Sequence, residues 1–247
     1  EFARTCEEGR DPGRAVTFRG HAGDNAARLY AYAEAEEHYE WAFRSFEKLP
    51  AESRPAAAIA LHRRRGAVRL AQARFDDATA DFEAMLAVAR GTGAPVGEVA
   101  ALAGLCDALF YGQRVEEMAV RAQELLDAAT RLGGAGDRAE AHARIGQTFV
   151  GQGRFEEAVP LLDDAIASAR RVGAPVALKI ALSLRGLVHY WQTEYQAAES
   201  ASVEALSLSS RLGDGFYALG ARMFRVNPMR AGADTVLSIL RRAVAEA

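Results

Sequence analysis

The residues with chemical potential in this sequence are its arginines, its paired acids and its histidines, and their spacing decides what each can do. Arg63-Arg64-Arg65, with Arg69 and Arg74 close behind, is the one dense charge cluster. It reads either as a phosphate site or as a face solvated beside local Glu and Asp partners. A helix spreads three consecutive residues over most of its circumference, which favours the second reading. Asp76/Asp77, Glu116/Glu117 and Glu156/Glu157 offer carboxylate pairs of the kind used in acid–base chemistry. They recur at one position just inside a helix start, where the helix dipole stabilises negative charge, so a structural role is expected. The five histidines, His21, His38, His62, His142 and His189, are scattered without metal-ligand spacing. GQGRFEEA, 151–158, lacks the Lys and hydroxyl of a phosphate-binding loop. No catalytic residue, metal ligand or cofactor is expected, and the chain reads as a non-enzyme.

The bulk composition points the same way. A net charge of −3 gives no reason to expect nucleic acid as a direct partner, and no apolar run approaches a membrane span. Two cysteines, Cys6 and Cys106, do not make a disulfide framework, which fits a cytoplasmic protein. The chain opens at Glu1-Phe2 without Met, as an excised fragment of a larger protein would.

What must position these residues is a repeat. Gly93, Gly133, Gly173 and Gly213 stand 40 apart, as do Gly66, Cys106, Gly146 and Gly186. Leu86, Leu126, Ile166 and Leu206 form an apolar column; Phe75, Val115, Phe155 and Tyr195 form another; Ala78, Met118, Ala158 and Ala198 form a third. Each unit holds two stretches rich in Ala, Leu, Glu and Arg, with apolar residues at helical spacing, as in Phe155, Ala158, Val159, Leu162 and Ile166. The first stretches cover about 58–72, 98–112, 138–152 and 178–192; the second cover about 75–91, 115–131, 155–171 and 195–211. Gly93 and its equivalents stop the second helices, with Pro95 and Pro175 following as stop signals. Pro160 should bend the first turns of its helix without breaking it. The small residues at Gly66, Gly146 and Gly186 let paired helices approach closely.

The set Gly146, Phe155, Ala158, Leu162, Ala165 and Ile166 resembles the tetratricopeptide repeat. The resemblance covers roughly 59–213 and departs at Cys106, Ala122 and Ser202. It implies an all-α, right-handed superhelical solenoid of antiparallel helix pairs. The period of 40 exceeds the family's usual ~34, which predicts longer helices and roomier loops. The domain organisation expected is a loose or cloning-derived tail over 1–12, then one solenoid over 13–247. Within it lie an irregular pair at 14–52 offset by 43 instead of 40, regular units over 58–213, and a cap over 214–247.

In that register the first helices line a concave groove. Its expected ligand residues are Arg63, Asp107, Tyr111, Gln147, Leu187, Tyr190 and Trp191. Tyr190 and Trp191 either line the groove or pack against the next unit. The set of Lys, Asn and Arg that clamps a peptide carboxylate in some family members is missing.

The array, preceded by the segment YAYAEAEEHYEWAF, resembles the C-terminal sensor region of bacterial signalling ATPases and LuxR-type (maltose-activator-like) transcription regulators. This implies a protein, peptide or small effector bound by the array, with nucleotide-binding and output domains elsewhere. The other reading is a self-assembling scaffold whose partner is a second copy, a homo-oligomer.

Overall fold

The computed structural model describes residues 11–212. They form ten helices and, among the described residues, no strand. In chain order these are α1 (Pro12–Arg28), α2 (Tyr32–Phe46), α3 (Arg54–Ala71), α4 (Phe75–Thr92) and α5 (Pro95–Tyr111). They continue as α6 (Val115–Leu132), α7 (Ala135–Gly151), α8 (Phe155–Val172), α9 (Pro175–Trp191) and α10 (Tyr195–Leu212). Two compact units divide after Arg121, within α6. Gly213, the cap expected over 214–247 and the first ten residues lie outside the described residues.

The 40-residue period is a length of chain with little loop in it. α5 and α6 contribute 17 and 18 residues, and only 112–114 and 133–134 link them and lead onward. Between the regular described pairs the links are therefore short, and the roomier loops expected from the long period are not seen there. Each three-residue turn closes the same way. Its middle residue is left-handed (Ala73 φ 58°, Gln113 φ 59°, Gly153 φ 73°, Thr193 φ 64°). The next N–H then donates back to the carbonyl five residues earlier, as Arg74 to Arg69 at 2.9 Å and Arg154 to Phe149 at 2.8 Å. The two-residue links use Gly93, Gly133 and Gly173 at φ 64°, 82° and 68°. Pro95 and Pro175 are not stops. Each is the first residue of the next helix, where a missing N–H costs nothing. Pro160 lies inside an uninterrupted α8.

In unit 1, α1 begins one residue earlier than the tail assigned to 1–12 would allow, because Asp11 caps it by accepting from Arg14 N–H at 3.0 Å and Pro12 opens it. The offset of 43 is real at atomic detail. Gly23 meets the Tyr39 ring as Gly66 meets the Phe82 ring: a Cβ at either would lie 2.4 Å or 3.0 Å from an aromatic carbon. Tyr30, with φ 60°, takes the left-handed turn place that Ala73 takes next. The three extra residues sit in 47–53, where Leu49 joins Val16, Ala42 and Leu61 in the core and Arg54 donates to the carbonyls of Leu49 and Glu47, each at 2.9 Å.

In unit 2, Gly146 stands against Leu162 and Gly186 against Ser202, at 2.8 and 3.1 Å from where a Cβ would be. Ala158 and Ala198 lie at those crossings and are 0% and 1% exposed. Ala139, Ala169 and Ala177 form one small core cluster; Leu182, Ala205 and Leu208 form another. No helix among the described residues is long and apolar enough to cross a membrane.

Candidate functional site

The first helix of each pair buries one face against its neighbours and leaves another uncovered, and that second face is the candidate site. In unit 1, α3 turns Leu61, Gly66 and Val68 inward, while Arg63 and Ala67 are exposed and Ala60 and Leu70 half-buried. On α5 the corresponding Ala103, Asp107 and Phe110 are half-buried. Tyr111 is half-buried too, its ring stacked 6.2 Å from Phe75 and edge-on to Phe110 at 5.2 Å. Asp107 is engaged within the chain.

In unit 2 the faces differ. Gln147 is 1% exposed and accepts from Arg144 at 3.2 Å, so it offers no surface to a ligand. Its assignment as a groove residue is corrected on that ground. Leu187 and Tyr190 on α9 are half-buried, and Trp191 is 63% exposed. Tyr190 is edge-on to both Trp191 and Tyr195, at 6.1 and 5.9 Å. Tyr190 therefore braces the cluster while Trp191 presents its ring to solvent. Next to it, Gly153–Glu157 and Gln192 line a shallow depression.

The arginine cluster has the acidic partners expected of it, but only part of it is a solvated face. Arg63 and Arg74 are exposed, and Arg64, Arg65 and Arg69 are half-buried. Arg64 crosses α1 where Gly20 has no side chain and reaches Asp24 at 3.1 Å. Arg65 and Arg69 converge on Asp81 of α4, a carboxylate only 2% exposed. Asp81 accepts from Arg65 Nη2 at 2.8 Å and Arg69 Nη1 at 2.9 Å, with His62 Nδ1 at 2.8 Å from Oδ1. Arg65 Nε also donates to Asp81, at 3.1 Å, while Arg65 Nη1 turns to Glu40 of α2 at 2.5 Å and Arg69 Nε to Glu36 of α2 at 2.9 Å. Arg74 joins Glu36 at 2.6 Å. Burial pushes the Asp81 carboxyl up, but hydrogen bonds from His62 and Arg65 and the charges of Arg65 and Arg69 outweigh it and hold the group below the usual carboxylate range.

This network has no repeat signature, because the equivalents of Asp81 are Arg121, Leu161 and Ala201. One motif was legible. Arg74, Arg114 and Arg154 each precede an acidic pair and bind its second member, Asp77, Glu117 and Glu157, at 2.5–2.7 Å. The second acid of each pair is therefore a paired charge at a helix start, and the Arg114 hydrogen bond holds Glu117 below its ordinary range. Among the described residues no group of three or more His, Cys, Asp or Glu is placed to hold a metal.

No protein-family model matches the chain, and no curated protein matches it in sequence. Solved structures match its fold. A Rap protein complexed with competence and sporulation factor is 16% identical, with a TM-score of 0.73 over 94% of this chain and 63% of that one. The Rap conjugation gene regulator of plasmid pLS20, in complex with a Phr peptide, is 14% identical, with a TM-score of 0.78 over 97% and 66%. A signal transduction ATPase with numerous domains and a tetratricopeptide repeat sensor, from Pyrococcus horikoshii, is 14% identical, with a TM-score of 0.56 over 100% and 38%. The chain thus spans less than two thirds of each. At these identities the likeness establishes the fold: an all-α helical repeat of the tetratricopeptide type.

Proposed function

We propose that this chain is a non-catalytic binding array that takes a peptide or protein segment on the uncovered faces of its first helices. The observation that carries the reading is Trp191, a large aromatic left 63% exposed beside half-buried Tyr190 and Leu187. Exposed aromatics on a rigid helical surface are typical binding hot spots. Two fold neighbours hold a signalling factor or peptide, and a third uses such repeats as the sensor of an ATPase, which supports the same use here. On this reading the chain serves as the sensor or interaction region of a larger bacterial signalling ATPase or LuxR-type regulator, working in the cytoplasm.

Selection from a random peptide display library, followed by titration of the selected peptide, tests it. Trp191→Ala should weaken binding at least about tenfold. An unchanged affinity for that variant and for Arg63→Glu would remove the uncovered faces as the site.

A further inference from the structure

The buried charges of unit 1 lie where the repeat goes out of step. The α1–α2 pair is offset from the α3–α4 pair by 43 residues, and each later described pair from the one before it by 40. Two apolar clusters hold this junction: Val16, Ala42, Leu49 and Leu61 with Phe43 and Phe46 against them, and Ala26, Ala35, Tyr39 and Val68. Burial of such surface is attractive but non-directional. Between the clusters run two guanidinium forks from α3. Arg65 binds Asp81 on α4 and Glu40 on α2; Arg69 binds Asp81 and Glu36. The ring of Phe43 on α2 lies under Arg65 at 4.3 Å and beside His62 at 4.9 Å. Planar forks bind carboxylates in few geometries, and slipping α2 by one turn would strand buried charges.

We propose that the Asp81–Arg65–Arg69 network is a register lock: it fixes the one position at which the α1–α2 pair docks on α3 and α4. The network adds directional contacts at the one junction among the described residues where the repeat is offset by 43 instead of 40. The lock is independent of whatever binds the uncovered faces.

The test measures where α2 sits. Spin labels at exposed positions 37 and 80, as Glu37→Cys and Ala80→Cys with Cys6→Ser, report the α2–α4 distance in the full chain by pulsed dipolar spectroscopy. The parent should give one narrow distance. An apolar replacement, Asp81→Leu with Arg65→Met and Arg69→Leu, should stay helical yet give a broadened or doubled distribution, with a second population displaced by about one turn, ~5 Å. Arg65→Lys with Arg69→Lys, which keeps charge and removes the forks, should do the same. A single narrow parental distance in both variants overturns the lock. Loss of the whole fold in both also overturns it, since the network would then be holding the unit together and not selecting a register.

Discussion

At the scale of single residues, two positions carry opposite lessons about cost. Thr193 is held at φ 64°, a left-handed conformation that a β-branched side chain resists, while the third repeat has Gly153 at the same place. Thr193→Gly should therefore stabilise the chain and Gly153→Ala destabilise it, each by about 1 kcal/mol, in urea unfolding. Equal midpoints would mean that the turn does not feel its side chain. Asp81 is different: it is 2% exposed and holds two arginines. Asp81→Asn leaves them short of a counter-charge and should cost about 3–5 kcal/mol. Because folding lowers its affinity for a proton, its stabilising contribution is complete above the unfolded value of about 3.9 and is lost as pH falls through the lower folded value. The parent should thus lose stability in that acid range more steeply than Asp81→Asn; parallel pH profiles would refute the assignment. Nothing periodic announces Asp81, since this buried acid is defined by His62, Arg65 and Arg69 on α3 and that set does not recur along the repeat. For Trp191 the helical register leaves two places open, the groove or the next unit, and its 63% exposure is a property of the folded chain.

At the scale of elements, glycines at crossings and glycines on surfaces should behave oppositely. A Cβ on Gly23 would fall 2.4 Å from the Tyr39 ring, whose position is fixed by burial and by its hydroxyl donating to Asp24 at 3.0 Å. Gly91 in α4 has nothing within 4 Å. Gly23→Ala should destabilise by about 1–3 kcal/mol, whereas Gly91→Ala should stabilise by about 0.5–1 kcal/mol through helix propensity alone. Thermal melts of the two variants check both signs, and a shift in the same direction would contradict the packing. Helix pairs, their crossing residues and their glycine stops follow from the 40-residue columns because each column is one contact repeated. Loop length does not follow, since a period fixes only the sum of helix and link. Pro95 shows the difficulty: a proline two residues after a glycine stop serves equally as the end of one helix or the first residue of the next.

At the scale of the molecule, repeat packing makes stability a sum of local terms. Each pair buries its apolar face on its neighbours, so a lesion should be felt mainly where it is made. Asp81 ties α2, α3 and α4, all within unit 1, and the clusters around Ala139 and Leu182 lie within unit 2. Hydrogen exchange on Asp81→Asn should therefore show faster exchange across 12–92, while 155–212 keeps the parental rates. The reciprocal lesion, Gly186→Val, drives a branched side chain toward Ser202, whose Oγ already lies 3.1 Å from where a Cβ would be. It should loosen 175–212 and leave 32–71 protected. A globular core sharing its contacts among all ten helices would instead lose protection everywhere from either change. That outcome would mean the helix pairs do not act as separable steps.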